Sequence, residues 1–317
     1  MKTGYLGSLA YIELEQGGYR MRAVPALGGQ VIALEKEGLE ALSAPASQEA
    51  LEEKSTSYGL PILFPPNRID QGHFQTAARS YQFTINEPAR NNSLHGFLHK
   101  RPWTLTEATE DRLQMEFTAN EESDFYAEFP HAFRAVLTYQ LGKDGLWQTV
   151  TIENQSDEPM PVGLGFHSAF RVDAETKVRI SVGERILMSE RMLPTGQVRP
   201  LNEEEARFRA EGLTPVAWSM DDHYTAKPIE EGGRPFHGAV IKRAKGCVYY
   251  EVDPFYQHWM IWNAGQKGDL ICLEPQNWRV NAPNLVSEGM SSEEAGFCLL
   301  APGETVQASA RLWIENQ

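Results

Sequence analysis

Cysteine is scarce: Cys247, Cys272 and Cys298 are the only three in 317 residues, with no CxxC pair among them. That excludes a disulfide framework, and each cysteine lies in an apolar or strand-like run, as a small core residue of a reducing compartment does. Positive charge is also short. Twenty-nine Lys and Arg against 43 Asp and Glu leave a formal net charge of −14, which excludes the basic surface that a nucleic-acid partner requires. No run approaches the roughly 18–20 apolar residues of a membrane span. The opening MKTGYLGSLAYIELEQ carries one lysine and no unbroken apolar core, so no secretory leader is expected and the expected location is the cytoplasm. Absent too are GxGxxG, GxxxxGK[ST], GxSxG, HExxH and Asp-x-Asp calcium spacing; neither a nucleotide cofactor nor a bound metal is expected.

What the chain does have is alternation. Tyr81-Gln-Phe83-Thr-Ile85, Leu113 to Phe117, Phe133 to Leu141, Leu146 to Ile152, Lys177 to Val182, Cys247 to Val252, Gln257 to Trp262, Asp269 to Glu274 and Val306 to Ile314 all follow a period of two. Turn-formers separate them: Gly142-Lys-Asp-Gly145, Asn154-Gln-Ser-Asp157, Pro194-Thr-Gly196, Gly232-Gly233, Pro302-Gly303. Many short strands with turns between them predict an all-β fold, a large antiparallel sandwich or barrel. One or two short helices are expected: Asn202 to Ala210, with an N-cap residue, early acids and later arginines, and the weaker Ser47 to Lys54. Composition does not shift along residues 1–317, and there is no repeat or Pro/Ser-rich linker, so a single domain is expected although length alone suggests about two.

Four stretches interrupt the alternation with unusual polar residues. In Gly59-Leu-Pro-Ile-Leu-Phe-Pro-Pro-Asn-Arg-Ile69, three prolines make a rigid extended segment unsuited to a central strand. It delivers Asn67 and Arg68, the arginine being either a planar donor for a hydroxyl-rich or anionic ligand or a clamp on loop carbonyls. In Asn91-Asn-Ser-Leu-His95-Gly96-Phe97, glycine after the histidine allows close approach of a ligand. His95 and His99 have the spacing of a helical metal pair, but Gly96 and Pro102 oppose a helix there. In Val162-Gly-Leu-Gly-Phe-His167, the imidazole is either a core histidine bonded to a carbonyl or a proton carrier working near neutral pH in a partly dry pocket. In Asp269-Leu-Ile-Cys-Leu-Glu274-Pro-Gln276, an apolar strand ends in a carboxylate, and Pro275 is expected to stop the ladder there. Burial would raise that carboxylate's pKa above about 4.3, unless it simply accepts backbone amides.

Taken in order, these stretches resemble the aldose 1-epimerases, or galactose mutarotases. The matching elements are Leu27-Gly28-Gly29, Asn67-Arg68-Ile69, the Tyr81 strand with Asn86, Leu94-His95-Gly96, the turn at His167, Asp221-Asp222-His223-Tyr224, Leu273-Glu274-Pro275-Gln276 and Pro283-Asn284. The resemblance implies a β-supersandwich in which Arg68, His95, His167, Asp221 (or Asp222) and Glu274 surround a pyranose. It departs from the family at Ala77-Ala78-Arg79, where a glycine is usual, and at Ser168, where proline is common. Phe97 after His95-Gly96, ahead of Arg101-Pro-Trp103, is closer to the hexose-6-phosphate epimerases.

The implied reaction is cofactor-free anomer exchange on a small-molecule sugar, with no nucleic-acid or membrane partner. Glu274 takes the C1 hydroxyl proton as base and His167 protonates the ring oxygen as acid, from opposite sides of the hemiacetal. His95 polarises the ring or holds the open-chain oxygen; Arg68, Asp221, Asn67 and Gln276 bind hydroxyls. An alternative substrate is a hexose 6-phosphate held by Arg79 and Arg101, and an alternative role is non-catalytic sugar binding.

Overall fold

The computed structural model describes residues 1–266 and 269–316. An N-terminal five-stranded meander (Lys2–Leu6, Leu9–Gln16, Tyr19–Val24, Gln30–Lys36, Leu39–Glu40) leads into two large antiparallel sheets. The first runs in the order Thr104–Ala108, Arg112–Ala119, Phe133–Gly142, Gly145–Asn154, Thr305–Asn316, Gly246–Val252, Gly238–Arg243, Lys177–Ile180. Its long members bury every second side chain, as in Phe133–Gly142 with Phe133, Ala135, Leu137, Tyr139 and Leu141 inside. Each such large apolar side chain contributes about 1.5–3 kcal/mol on burial.

The second large sheet runs Pro194–Arg199, Val182–Met188, Asp221–Ala226, His258–Trp262, Leu270–Gln276, Gly165–Phe166, Ile62–Leu63, and Ser168–Arg171 also pairs with Leu270–Gln276. The two sheets meet through aromatic rings. Tyr250 of the first lies 5.2 Å from Phe170 and 6.4 Å from Trp259 of the second, and its hydroxyl accepts from Ser168 Oγ at 2.9 Å. A ribbon of two short strands, Arg68–Asp70 and Asn92–Leu94, stands beside this second sheet.

Three expectations need correction. The stretch from Lys177 to Val182 is two strands in different sheets, because Ser181 turns the chain: its N–H donates to the Gly238 carbonyl and its Oγ accepts from Gly238 N–H, both at 2.9 Å. The strand expected over Tyr81 to Ile85 covers Ser80–Gln82, although Phe83 is still buried. Pro275 does not stop its ladder. The strand continues to Gln276 because Pro275 falls where one neighbour ends, at Ser168 opposite Leu273, and the next begins, at Gly165 opposite Gln276. No N–H is required at that step.

Helices are few and short: four α-helical segments among the described residues, Gln48–Glu53, Glu203–Ala206, Ala282–Ser287 and Ser292–Ala295. Ser47 caps the first, and Asn202 with Glu205 forms a reciprocal capping box on the second. The last two exceed the expected number. They follow Asn281, whose left-handed backbone (φ 63°) and N–H to the Arg68 carbonyl at 3.0 Å anchor the ribbon.

Candidate functional site

Sheet register assembles one wall of a cavity of about 330 Å³. Asp221 pairs with Trp262, Met260 with Glu274, and all four line it. His167 occupies the unpaired step between Gly165 and Ser168, directly opposite Glu274. Its Nε2 lies 3.1 Å from Glu274 Oε1, with the two residues only 6% and 2% exposed. The ribbon and the turn after it supply the other wall: Asn67, Arg68, Leu94 and His95, with Arg90 and Thr56.

The left-handed backbone at Asn67 (φ 57°) and His95 (φ 65°) turns both into the site. Asn86 holds the His95 turn by accepting from Leu94 N–H at 2.7 Å and donating to the Leu94 carbonyl at 2.9 Å. Gly96 does not open the site to a ligand, as its position after His95 had suggested. A Cβ there would sit 2.0 Å from the Phe64 carbonyl oxygen, and φ is +60°, so the glycine is needed for backbone packing. Gly96→Ala should therefore cost about 1–3 kcal/mol in denaturant unfolding, a loss that local backbone strain of this kind produces; an unchanged midpoint would contradict that account.

Arg68 is 7% exposed and firmly held. Its Nε and Nη2 donate to the two oxygens of Glu87 at 2.9 and 3.0 Å, and Nη1 donates to Asn67 Oδ1 at 3.3 Å. Burial opposes the charge on Glu87, but donors from Arg68, Asn92 and Arg90 outweigh it and hold its pKa below the usual value. Asp221 rather than Asp222 lines the cavity; Asp222 is engaged by Arg185. Burial raises the Asp221 pKa against the pull of Arg68 and Arg90. Gln276 stands behind the lining and accepts from Asn67 Nδ2 at 3.5 Å, so it orients Asn67 instead of facing the cavity. Pro283-Asn284 supports from outside, Asn284 Nδ2 donating to the His73 carbonyl at 2.8 Å.

The electrostatics of the pair differ from expectation. Burial, reinforced by Asp221, pushes the Glu274 carboxyl well above its usual range. Burial likewise lowers His167 to about 3, out of the neutral range first assigned to it. Both shifts favour the uncharged forms, a protonated carboxyl beside a neutral imidazole. Nor do the two groups face each other across a gap: they touch, side by side. His95 lies edge-on to His167, ring centroids 5.1 Å apart, and burial with the neighbouring imidazoles keeps it neutral. His99 stands 6.3 Å behind His95. No group of three or more His, Cys, Asp or Glu among the described residues is arranged to hold a metal ion.

Glu274 Oε2, His167 Nδ1 and His95 Nδ1 are buried without a hydrogen-bond partner among the described residues. Each such orphan costs about 1–3 kcal/mol. Arg79 and Arg101 do not line the cavity; Arg79 pairs with Glu158 and Arg101 with Asp124. The sequence reading missed Glu87, Arg90, Thr56, Met260 and Trp262. Period-two spacing places Met260 and Trp262 on one face and was sufficient to group them; Glu87 and Arg90 sit in an irregular turn with no such signal.

A sequence profile described as Aldose 1-epimerase matches residues 11–313. A galactose mutarotase-like protein from Clostridium acetobutylicum superposes with TM-score 0.94 and 32% identity, covering 100% of this chain and 98% of that one. A putative aldose 1-epimerase from Escherichia coli K12 superposes at TM-score 0.80 with 19% identity over 97% of this chain and 99% of its own, a likeness of fold. The uncharacterized Escherichia coli protein YphB is 24% identical over 260 residues, 80% of this chain and 83% of its own length. With the profile running nearly end to end over the β-supersandwich just described, the chain belongs to the aldose 1-epimerase family.

Proposed function

We propose that the protein interconverts the α and β anomers of a free aldohexose by acid/base ring opening and closure. The observation that carries the reading is the buried His167–Glu274 contact of 3.1 Å at the wall of a polar cavity. The two oxygens of a hemiacetal share one carbon, so a side-by-side pair can serve both. In its ionic form, carboxylate beside imidazolium, Glu274 accepts the C1 hydroxyl proton while His167 gives its Nε2 proton to the ring oxygen. The C1–O5 bond breaks, C1 becomes an aldehyde, and the pair is left as neutral acid and neutral imidazole. After rotation about C1–C2, the imidazole takes the O5 proton, O5 attacks the other carbonyl face, and Glu274 returns a proton to O1. The two tautomers of one proton-sharing pair are thus the start and finish of ring opening. Burial favours the neutral tautomer, which matches the open chain. His95, neutral, donates to or accepts from the same region, Arg68 and Asp221 bind hydroxyls, and the Trp262 indole offers an apolar face for pyranose C–H groups. The steps break and re-form C1–O5 with proton transfers alone, change no oxidation state and call for no cofactor.

A free sugar is favoured over a 6-phosphate because Arg79 and Arg101 are paired outside the cavity, while Asp221 and Glu274 line it. A non-catalytic binding role leaves the buried acid/base pair without a purpose. Polarimetry tests both points: freshly dissolved α-glucose or α-galactose should reach equilibrium faster with enzyme, and kcat/KM should exceed that for the corresponding 6-phosphate at one ionic strength. No acceleration with any hexose overturns the reading, and a ratio below one overturns the substrate. Glu87→Gln keeps shape but loosens Arg68; KM should rise about tenfold with a smaller change in kcat, since hydroxyl binding serves ground and transition states alike.

A further inference from the structure

Arg191 lies outside the cavity lining, at the tip of the hairpin joining Val182–Met188 to Pro194–Arg199. The turn is closed by Met192 N–H on the Ser189 carbonyl at 2.9 Å and Ser189 N–H on the Leu193 carbonyl at 2.8 Å. From there its side chain reaches a segment distant in sequence. Nε donates to the Arg90 carbonyl at 2.9 Å. Nη2 donates to Asp70 Oδ1 at 2.5 Å, to the Asn91 carbonyl at 3.0 Å and to Asn92 Oδ1 at 3.3 Å. In return, Asn92 Nδ2 donates to the Arg191 carbonyl at 2.9 Å and to Glu87 Oε2 at 3.0 Å.

Those partners belong to the ribbon and turn that hold Arg68. The turn Glu87-Pro-Ala-Arg-Asn91 has few bonds of its own: Pro88, Ala89 and Asn91 are exposed, and its internal bonds are Arg90 N–H to the Glu87 carbonyl (3.1 Å), Asn91 N–H to the Pro88 carbonyl (3.2 Å) and Arg90 Nη1 to Glu87 Oε1 (2.9 Å). A segment with so few buried apolar contacts opens locally at small cost. A lone surface ion pair contributes about 0–1 kcal/mol, but Arg191 spans two backbone carbonyls and two side chains, and its planar fork fixes them relative to one another. The links run in series: the Arg191 guanidinium holds Asn92 through Nη2 on Oδ1 at 3.3 Å, Asn92 Nδ2 holds Glu87, and Glu87 holds both Nε and Nη2 of Arg68.

We infer that Arg191 is a positioning residue, setting the orientation of the Arg68 guanidinium, and with it the affinity for the sugar, through Asn92 and Glu87. This rests on the proposed role of Arg68 in binding sugar hydroxyls. Steady-state polarimetry on Arg191→Ala, Arg191→Lys, Arg68→Met and the double variant tests it. Arg191→Ala should raise KM about tenfold and lower kcat by less, with Arg191→Lys in between, and the double variant should be no worse than Arg68→Met alone. Additive losses, or a KM unchanged by Arg191→Ala, would overturn the inference. Thermal melts check folding, and if Arg191→Ala melts early, the comparison is made with Arg191→Lys and its double variant. If the wild-type protein turns over no sugar, it is the functional reading that fails. Proton exchange at the Arg68 Nε–H, observed by NMR, then still decides: faster exchange in Arg191→Lys supports the relay, and unchanged exchange refutes it.

Discussion

Glu274→Gln should lower kcat by about 10²–10⁴, the range that positioned proton transfer supplies, and should at the same time raise the melting temperature. The first effect follows from basicity: glutamine fills the same space and can donate to His167 Nε2, but it cannot take the C1 hydroxyl proton. The second follows from burial. A carboxyl whose folded pKa is raised contributes its full stability below its unfolded value of about 4.3, and that contribution is lost as pH rises through the folded value. Glutamine has no charge to bury, so its advantage should be absent near pH 4 and grow towards pH 8, reaching a few degrees. Melts across that range together with polarimetry give both readings. A glutamine variant that keeps most of its activity removes Glu274 from the chemistry; one that gains no stability at high pH shows that the carboxyl is not held neutral.

His167→Asn should lower kcat about as far, and change the shape of the pH profile. The active pair carries one proton, so activity ends where a second is added or the first is lost. With His167 lowered to about 3 and Glu274 raised, the acid limb belongs to the imidazole and the alkaline limb to the carboxyl. An unburied acid/base pair would have the opposite assignment, which is how the sequence alone reads. The asparagine variant should lose that acid limb and the alkaline fall as well: with no imidazolium to lose, Glu274 serves as base in its carboxylate form and the residual rate should rise through the carboxyl's raised pKa. Because a folded pKa below about 6.5 also costs stability as pH falls towards 3, circular dichroism must accompany rates on the acid side. A residual rate that still falls at high pH would overturn the assignment.

The distribution of legible and illegible features has a physical basis. Strands such as Phe133–Gly142 and Thr305–Asn316 announce themselves because one face of each is buried and the other wet. The segment around Ser181 does not, since a chain that passes between two sheets keeps its alternation while changing partners. Pro275 misleads for the related reason that a proline's cost depends on which neighbour is present at that one step. For the site, residue types at Arg68, His95, His167, Asp221 and Glu274 were visible, and register brings them together. What sequence cannot carry is burial, which moves Glu274 and His167 in opposite directions, or the turn contacts that make Glu87 the partner of Arg68. Gln276 illustrates the same limit, lying one layer behind where its motif suggested.

The two walls of the cavity have different mechanical origins. Glu274, Trp262 and Asp221 stand on adjacent strands well inside a sheet, where a shift of one side chain is resisted by ladders on both sides. Asn67, Arg68 and His95 stand on a two-strand ribbon and its turns, held by polar contacts with few ladder bonds. Inheritance can act on these separately. In the proposed reaction, substitutions in the ribbon and its turns act first on the groups that hold sugar hydroxyls and leave the register of Glu274 opposite His167 unchanged.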